Sequence, residues 1–395
     1  MGRLRTIDDL GDLAGRRAFV RVDFNVPLDA GAVSDDLRIS ATLPTLARLR
    51  EAGASLVLAS HLGRPRGRPD PAYGMAPVAA RLEEVGGFPV RALGEVTGEA
   101  VEKACAELEP GQVALLENLR FDPGEEANDP GFAEALAGLA HVYVDDAFGA
   151  AHRPHASVVG VPERLPGAAG LLLQREVEEL SRLLEGPERP FVAILGGAKV
   201  SDKIGVIRSL LHRVDALLIG GAMAFTLIAA RGGQTGRSLV ERDRLDEVRE
   251  VMDEADRRGA LLMLPEDVIA AAEMSADAGK RTVPSDAVPR DLMGLDIGPR
   301  TVEEFARVIA DARTVFWNGP MGVFELEPFS FGTRGVAQAV AGIDAHTVVG
   351  GGDSVAAIRK LGLQDAVDHL STGGGASLEL LEGRELPGVA VLTEG

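Results

Sequence analysis

The stretch VAILGGAKVSDK, residues 192–203, decides the fold class of this chain. A short apolar run, Val192–Leu195, ends at two glycines, and polar residues that include two lysines follow directly. An apolar run bounded by glycine is typical of a buried strand, and glycine lets the chain turn sharply at the strand end. The stretch therefore predicts one strand–turn–helix unit of a parallel sheet.

The same alternation of short apolar runs and helix-length patterns recurs on both sides of this unit. In the first half the predicted strands are Ala18–Phe24, Ser55–Ser60, Val113–Glu117 and Val142–Ala147, with helical patterns such as Ile39–Glu51 and Ala76–Glu84 between them. In the second half they are Val192–Leu195, Ala216–Ile219, Leu261–Leu264, Thr314–Trp317 and Thr347–Val349. This order, strand then helix then strand, predicts an α/β fold with parallel sheets.

A segment rich in proline and glycine, GVPERLPGAAG at 160–170, separates the two series of strands. A helical pattern follows it, with Val177, Leu180 and Leu183 on one face. A chain of 395 residues is also long for a single hydrophobic core. We therefore predict two α/β domains with the boundary at this segment, residues 1–170 and 171–378.

The composition limits the kinds of partner that we expect. The formal net charge of −19 repels nucleic acid and anionic membranes, so any bound anion needs a local basic site. The single cysteine, Cys105, excludes an internal disulfide framework and fits a reducing cytosol. We expect a cytoplasmic protein that binds neither nucleic acid nor membrane.

Four strand ends in the second half carry glycine pairs or triplets: GGAK at 196, GGAM at 220, GGGDS at 350 and GGGAS at 373. Any one of them could be only a tight turn. Glycine at the carboxyl end of a parallel strand also lets backbone N–H groups approach a phosphate closely, and four such turns favour a nucleotide crevice. The chain has neither the GxxxxGK[ST] loop nor a GxGxxG fingerprint at a strand end, so the P-loop class is excluded.

Basic side chains follow the predicted strand ends of the first half. They are Arg21, Arg38, His61, Arg64, Arg120, His152, Arg153 and His155, with Asp23 and Asn25 beside the first of them. Because the carboxyl ends of parallel strands meet at one edge, we expect a cluster that grips a small ligand with several negative charges. Arg64 taken alone could be a solvated surface arginine, and His155 could be a buried core residue.

Only five of the basic residues are lysine, and two of them, Lys199 and Lys203, follow the glycine pair at 196–197. We expect them one helical turn apart, where a compact ammonium can follow a moving phosphoryl group; chance placement is the alternative. Asp353 follows three glycines and either caps a helix or holds Mg²⁺. Asn318 and Glu325 follow another strand and could bind ribose hydroxyls, although Asn318 could equally form a turn.

Nine longer strings carry a family resemblance. They are RVDFNVP (21–27), SHLGRP (60–65), LLENLRF (115–121), DDAFGAAHRPHAS (145–157), GGAKVSDKIGVI (196–207), MGLDIGPR (293–300), VFWNGPMGVFE (315–325), GGGDS (350–354) and STGGGASLELLEG (371–383). In this order, and over essentially the whole chain, they resemble the phosphoglycerate kinase family.

This resemblance implies two Rossmann-like domains joined by a hinge helix, with a cleft between them, and a last segment from Glu379 to 395 that packs back on the first domain. It implies a monomer that closes like a hinge. It also implies reversible phosphoryl transfer between 1,3-bisphosphoglycerate and ADP, giving 3-phosphoglycerate and ATP with Mg²⁺, in glycolysis and gluconeogenesis.

The resemblance also assigns roles to individual residues. The glycerate ligand is expected at Arg21, Asp23, Phe24, Asn25, Arg38, His61, Leu62, Gly63, Arg64, Arg120 and Arg153. The nucleotide is expected at Lys199, Lys203, Gly294, Asn318, Glu325, Gly351, Gly352, Asp353 and Ser354, with Asp353 holding the metal. Arg38, Lys199 and Lys203 are expected to be catalytic, and the resemblance leaves open whether His152 and His155 bind ligand or support the core.

This sequence departs from the family's usual strings at four of these positions. Ser354 stands where threonine is usual, and Asp145, Ala150 and Pro154 stand where Asn, Thr and Ala are commoner. Two other classes of function were weighed. A nicotinamide-dependent oxidoreductase should carry the missing GxGxxG fingerprint, and a binding protein that has lost catalysis should lack some of the charged site residues, none of which is missing.

Overall fold

The computed structural model describes residues 2–394, so positions 1 and 395 of the predicted domain ranges lie outside it. Contacts between Cα atoms divide the chain into an N-terminal unit, residues 2–178 with 385–394, and a C-terminal unit, residues 179–384. This division falls inside a helix that begins at Leu171, and again a few residues after the helix that ends at Leu381. The domain boundaries predicted at 170/171 and 379 stay a prediction.

The N-terminal unit contains eight strands within the described residues, and six of its helices lie before the C-terminal unit begins. Its strands are β1 (Arg17–Arg21), β2 (Leu28–Asp29), β3 (Ala32–Val33), β4 (Ser55–Ala59), β5 (Val90–Ala92), β6 (Val113–Leu115), β7 (Val142–Asp145) and β8 (Gly167–Ala169). Its helices are α1 (Leu37–Glu51), α2 (Ala76–Gly86), α3 (Glu99–Ala106), α4 (Pro123–Glu126), α5 (Pro130–Ala137) and the first half of α6 (Leu171–Leu184). Short 3₁₀ turns lie at Ile7–Leu10, Pro71–Tyr73, Leu119–Phe121 and Phe148–Ala150, and a π turn lies at Ala156–Gly160.

Six of these strands form one parallel sheet in the order β5-β6-β4-β1-β7-β8. The chain leaves β1 towards β4 and leaves β7 towards β8, so the two connections diverge between these neighbours. Ligands of open parallel sheets bind at such a switch point, outside the carboxyl ends of the strands. Here those ends are Arg21 and Asp145, which pair in register.

The C-terminal unit begins with the second half of α6. Its strands are β9 (Phe191–Leu195), β10 (Ala216–Ile219), β11 (Gln234–Thr235), β12 (Leu261–Met263), β13 (Asp267–Ala271), β14 (Lys280–Pro284), β15 (Ala287–Val288), β16 (Met293–Ile297), β17 (Thr314–Asn318), β18 (His346–Gly350) and β19 (His369–Leu370). Its helices are α7 (Ile204–Leu210), α8 (Ala224–Ala230), α9 (Leu245–Arg258), α10 (Pro299–Ala310), α11 (Phe331–Ala341), α12 (Gly352–Lys360) and α13 (Gly375–Leu381). Its 3₁₀ turns are Arg242–Arg244, Glu327–Phe329 and Gln364–Ala366.

A second parallel sheet has the order β12-β10-β9-β17-β18-β19. The connections diverge between β9 and β17, where Leu195 and Asn318 pair in register. This edge is the switch point of the C-terminal unit. The last described helix, α14 (Pro387–Ala390), belongs to the N-terminal unit, where Arg5 donates from its guanidinium to the carbonyls of Val391 at 2.8 Å and Leu392 at 3.3 Å.

The predicted α/β fold with two parallel sheets is confirmed, but the strict alternation is wrong in two places. β2 and β3 form an antiparallel hairpin between β1 and α1, and β14, β13 and β16 form a separate antiparallel sheet. The segment 160–170, interpreted as a connection, also contains β8. That strand escaped notice because a side chain at Gly167 would lie within about 3 Å of Leu392 and Tyr143, so only small residues fit.

Candidate active site

Arg21 lies at the switch point of the N-terminal sheet with its guanidinium buried. Nε donates to the hydroxyl of Ser157 at 2.8 Å, Nη1 donates to the carbonyl of Val22, and Nη2 lies 3.2 Å from Nδ1 of His61. β1 ends at this residue, so the sheet fixes where its side chain begins. These partners hold the guanidinium in a single orientation.

Glu125 and Ser157 support Arg21 from behind, and the sequence analysis missed both. The Ser157 hydroxyl donates to Oε1 of Glu125 at 2.6 Å, and the Ser157 amide donates to Oε2 at 3.0 Å. Burial alone would raise the pKa of the Glu125 carboxyl, but His155, Arg21 and Ser157 together hold it below its usual value. His155 lies with Nδ1 3.7 Å from Glu125, so the structure places it in this supporting network.

His61, Asp23 and Arg38 form the next part of the cluster. Arg38 donates to Oδ2 of Asp23 at 2.9 Å and to the carbonyl of Asn25 at 3.2 Å. The other oxygen of Asp23 is buried, lies 3.8 Å from Nδ1 of His61, and has no hydrogen bond within residues 2–394. Burial, and then the charge of Arg21, hold the pKa of His61 well below its usual value, so His61 is a neutral imidazole at pH 7.

The backbone at Gly63 is held from both sides by two other predicted residues. Asn25 accepts the Gly63 amide at 2.9 Å, and Arg120 donates to the Gly63 carbonyl at 2.7 Å. Nε of the buried Arg120 also lies 3.3 Å from a carboxylate oxygen of Glu126. Phe24 and Leu62 belong to the hydrophobic core of the unit, so their side chains support the cluster from inside.

Arg64 and Arg153 add positive charge at the same edge. Arg64 is exposed, whereas Arg153 is half-buried and donates from Nε to Nε2 of His152 at 3.3 Å. Burial lowers the pKa of Arg153; Asp23 opposes this effect, and the charges of Arg64, Arg21 and Arg38 add to it. Arginines that disfavour each other's charge in this way leave a surplus of positive potential, which a ligand with several negative charges would neutralise.

Lys203 occupies the switch point of the C-terminal sheet. Its Nζ donates to the carbonyl of Gly196 at 2.7 Å, to the carbonyl of Asn318 at 2.8 Å and to the side-chain oxygen of Asn318 at 2.6 Å. The side chain is nearly buried, and burial lowers its pKa to about 8, an effect that Asp353 and Asp202 oppose. The ammonium is therefore charged at pH 7.

Lys199 does not share a helix with Lys203, so the expected spacing of one helical turn is wrong. α7 begins only at Ile204, and Lys199 lies exposed in the preceding loop. The missed residue Glu241 explains this loop, since its carboxylate accepts the amides of Val200 at 2.6 Å and Ser201 at 3.1 Å. Glu241 thus fixes the backbone of the loop in which Lys199 lies.

Asn318 lies between the Lys203 ammonium and Gly351, and Ser354 contacts the residue after it, Gly319. Asn318 is the last residue of β17 and is buried, with its amide group against Gly351. The buried Ser354 hydroxyl accepts the amide of Gly319 at 2.6 Å. Gly319 has a positive φ of 96°, and a Cβ there would lie 2.5 Å from Nζ of Lys203, so only glycine fits.

The three acceptors of the Lys203 ammonium, which belong to Gly196 and Asn318, are called the lysine cradle below. A pocket of about 320 Å³ opens near this cradle within the C-terminal unit. Its walls are mostly apolar, formed by Phe225, Leu239, Val268, Met274, Met293, Leu295, Pro320, Met321 and Val323 together with backbone at Gly197, Gly221 and Gly294. Glu325 and Asp353, both predicted, line the same pocket. Gly351 caps the N-terminus of α12, Gly352 is its first residue, and the exposed Asp353 lies in its first turn.

Asp296 also lines this pocket, and the sequence analysis did not single it out. Its two oxygens accept the amides of Ile297 at 2.9 Å and Gly332 at 2.7 Å, so it fixes the start of α11. Burial raises the pKa of this carboxyl to about 7. This carboxyl, which the sequence analysis did not identify, thus helps to shape the pocket.

Two absences within residues 2–394 bear on the kind of site present. No cluster of three or more His, Cys, Asp or Glu side chains could hold a metal ion by itself. No described helix has the length and apolar composition that crossing a membrane requires.

Comparison with known proteins agrees with this geometry. The family model for phosphoglycerate kinase matches residues 7–384. The phosphoglycerate kinase of Rubrobacter xylanophilus is 61% identical over 99% of this chain and 98% of its own length. That of Thermomicrobium roseum is 57% identical over 99% of this chain and all of its own length. The solved structure of phosphoglycerate kinase from Coxiella burnetii has a TM-score of 0.87 and 41% identity, with 99% of both chains covered.

These similarities span both units, and they give no support to a nicotinamide-dependent oxidoreductase. The chain belongs to the phosphoglycerate kinase family, whose members are glycolytic kinases that transfer a phosphoryl group reversibly between 1,3-bisphosphoglycerate and ADP.

Proposed function

We propose that the glycerate substrate binds at the switch point of the N-terminal sheet and the nucleotide in the pocket of the C-terminal unit. The observation that carries this proposal is the contrast between the two edges. The edge of the N-terminal sheet gathers arginines whose positive charges disfavour one another. The edge of the C-terminal sheet places a buried ammonium near an apolar pocket.

In the N-terminal unit, Arg21, Arg64, Arg120 and Arg153 bind the phosphate and carboxylate oxygens of the glycerate. Guanidinium groups suit this task because their N–H groups match these oxygens in pairs. The neutral imidazole of His61 supplies a hydrogen bond, while Asp23 and Asn25 orient Arg38 and the Gly63 turn. Phe24, Leu62 and Gly63 set the shape of the surface on which the ligand lies.

In the C-terminal unit, the apolar pocket takes the base of ATP or ADP. Gly294 lets a wall of the pocket close on Phe225, and Glu325 binds ribose hydroxyls at the rim. Gly351, Gly352 and Ser354 present the N-terminus of α12 to the phosphates, where the backbone N–H groups and the helix dipole favour negative charge. Lys199 and Asn318 are the remaining groups on the phosphate side.

Asp353 is the residue that we propose for Mg²⁺. The metal usually takes one or two carboxylates and completes its shell with substrate phosphates and water, so a single exposed carboxylate beside the pocket fits it. When bound, Mg²⁺ would neutralise charge on the nucleotide phosphates.

The reaction needs positioning and charge stabilisation rather than a general base. In the direction that consumes ATP, a carboxylate oxygen of 3-phosphoglycerate attacks the γ-phosphorus, the bond from that phosphorus to the bridging oxygen breaks, and ADP leaves. The attacking carboxylate is already ionised at pH 7, since its ordinary pKa is about 3.5–4. Arg38 and Lys203 neutralise the oxygens of the phosphoryl group while it moves.

Because the two substrates bind on different units, the proposal requires that the units bring them into line and exclude water. We propose hinge bending at α6 for this step. We also propose that the protein acts as a monomer in the cytoplasm, since each of the two sites is formed by residues of one chain and the single cysteine fits a reducing compartment.

The test is ATP consumption with 3-phosphoglycerate, with and without Mg²⁺, read through a coupled dehydrogenase. Lys203→Ala and Arg38→Ala should each lower kcat by about 10²-fold or more, as expected for removing a group that stabilises the transferring charge. Arg208→Ala in α7 and Arg48→Ala in α1 are matched controls, because both arginines make surface ion pairs that contribute little.

Each outcome of this test has a distinct meaning. A fall in kcat for both site variants with normal controls supports the assigned roles. A variant that keeps kcat and raises only KM would reassign its residue to ground-state binding. A folded protein that binds both substrates without turnover would be catalytically silent and would sink the proposal.

A further inference from the structure

The Lys203 ammonium uses its whole hydrogen-bonding capacity inside the protein. An ammonium carries three N–H bonds, and Nζ has three acceptors at 2.7, 2.8 and 2.6 Å. In this state no N–H is left for a phosphoryl oxygen. The role that we propose for Lys203 therefore requires that one of these three hydrogen bonds break. The inference that follows rests on that proposed role.

Only one of the three acceptors is able to move without disturbing the sheet. The carbonyls of Gly196 and Asn318 are main-chain groups at the ends of β9 and β17, and the Asn318 carbonyl also accepts the Gly196 amide at 3.0 Å. The third acceptor, Oδ1 of Asn318, belongs to a side chain that rotates about its own bonds. The side-chain amide of Asn318 is thus the movable part of the cradle.

The other end of the same amide lacks a partner. Nδ2 of Asn318 is buried and makes no hydrogen bond within residues 2–394, and it faces the turn of Gly350 and Gly351 that leads into α12. A buried donor left unsatisfied costs about 1–3 kcal/mol, and a helix N-terminus favours anions, so the two features together suit a bound anion. A phosphate oxygen of the nucleotide has the chemistry to accept from Nδ2.

We propose that Asn318 is a positioning residue that holds Lys203 in reserve until nucleotide arrives. Without nucleotide, Oδ1 keeps the ammonium in its cradle. When a phosphate oxygen accepts from Nδ2, the amide is drawn towards the N-terminus of α12, the contact between Oδ1 and Nζ lengthens, and one N–H of Lys203 becomes available to the transferring phosphoryl group.

The residue type fits this role. A neutral amide binds the ammonium strongly enough to orient it and weakly enough to release it, whereas an aspartate at 318 would form a buried ion pair. The charged groups that face Lys203 are Asp353 in the first turn of α12 and Asp202 in its own loop, and both favour its charged form. Oδ1 of Asn318 adds to that preference, so changes at 318 should move the titration of Lys203.

The experiment follows Lys203 by NMR on protein labelled in lysine, where the chain's five lysines give few signals and Lys203→Ala identifies the one of interest. Asn318→Ala removes an acceptor of the charged form and should lower the pKa of Lys203 by about one unit, with the alkaline limb of kcat moving equally. Asn318→Asp should raise the pKa and lower kcat at pH 7 by tenfold or more. In the parent protein, ADP should shift the Lys203 signal.

Gln338→Ala, which removes an exposed amide from α11 in the same unit, is the control and should leave the Lys203 titration unchanged. Circular dichroism checks the folding of each variant. If either Asn318→Ala or Asn318→Asp fails to fold, the other variant still tests the inference. An unmoved Lys203 titration in the folded variants would overturn the inference, even if the KM for nucleotide rose. Retention of full activity by Lys203→Ala would instead overturn the proposed role of Lys203.

Discussion

At the scale of single residues, the arginine cluster that we propose for the glycerate is positioned by contacts between side chains. Arg21 lies in position because Ser157 accepts from it and Glu125 in turn accepts from Ser157. Glu125 is completely buried, and burial would raise its pKa, but the hydrogen bonds from His155 and Ser157 and the charge of Arg21 outweigh that effect and lower it. The orientation of an arginine that is expected to bind substrate is thus set by residues from a different part of the chain.

We expect Glu125→Gln to destabilise the protein and weaken binding of 3-phosphoglycerate. Glutamine keeps the shape but removes the buried negative charge that faces Arg21 and His155, which should cost on the order of 3 kcal/mol in free energy of unfolding. Urea unfolding at pH 7 and calorimetric titration with 3-phosphoglycerate measure the two effects. Glu134→Gln, an exposed glutamate of α5, is the control, and equal behaviour of the two variants would contradict the supporting role of Glu125.

Gly294→Ala should weaken binding of ADP about tenfold and leave 3-phosphoglycerate binding unchanged. A Cβ at this position would collide with the ring of Phe225, and both residues line the pocket that we propose for the nucleotide. Overpacking of this kind typically costs 1–3 kcal/mol, which the pocket would absorb by losing its shape. Gly279→Ala is the matched control, because no atom lies within 4 Å of the Cβ that it adds. Calorimetry that gave equal ADP affinities for both variants would refute the prediction.

The residues that sequence could and could not predict differ in what they contact. Arg21, His61 and Lys203 are recognisable because they follow glycine or the end of an apolar run, and strand ends meet at one edge. Glu125 and Glu241 bind main-chain and side-chain groups that are 32 to 41 positions away, and no local pattern records such a contact. Asn318 was predicted for the nucleotide, but its contact with Lys203 depends on the register of β17 beside β9.

At the scale of elements, strands with large apolar side chains were predictable, whereas strands made of small or exposed residues were not. β4, β9 and β10 were predicted to within one residue, because each is an apolar run that stops at a polar residue or glycine. β5 has exposed residues at the edge of its sheet, and β8 consists of glycine and alanine, so neither has a recognisable pattern. α7 begins at Ile204, later than the predicted spacing of the two lysines required, and the loop before it is fixed by the distant Glu241.

The N-terminus of α6 supplies a prediction about pH. Asp146 accepts the amides of Leu172 at 2.9 Å and Leu173 at 3.3 Å, yet burial raises its pKa to about 7. In the unfolded chain this carboxyl titrates near 3.9. Between about pH 4 and pH 7 the folded state therefore keeps a proton that the unfolded state has lost, so the contribution of Asp146 to stability falls as the pH rises through this window and is constant above it.

Asp146→Asn removes that titration, so the variant should gain stability relative to the parent between pH 5 and pH 8. The relative gain should be about 2–3 kcal/mol, since the folded carboxyl loses its proton over the roughly two pH units between pH 5 and its pKa of about 7, and one pKa unit corresponds to about 1.4 kcal/mol. Urea unfolding followed by circular dichroism at both pH values measures it, with the exposed Asp29→Asn as control. A difference between variant and parent that did not change with pH would show that Asp146 is already ionised in the folded protein.

At the scale of the whole molecule, the two substrates are proposed to bind on different units. Arg38 belongs to the N-terminal unit and Lys203 to the C-terminal unit, and both are proposed to act on the same phosphoryl group. Two groups that bind one small anion have to come within hydrogen-bond distance of it at the same moment. The assignment therefore predicts a motion of the units that depends on both substrates together.

We expect the radius of gyration measured by small-angle X-ray scattering to fall when 3-phosphoglycerate and a non-hydrolysable ATP analogue with Mg²⁺ are both present. Each ligand alone should produce a smaller change, because one substrate supplies contacts for only one unit. All samples need the same moderate salt concentration, since molecules with a net charge of −19 repel one another and distort the low-angle data. The Arg38→Ala variant, which still binds nucleotide, should compact less with both ligands. Scattering curves that are identical with one and with two ligands would contradict the proposed hinge motion. The proposed substrate sites could still be correct in that case.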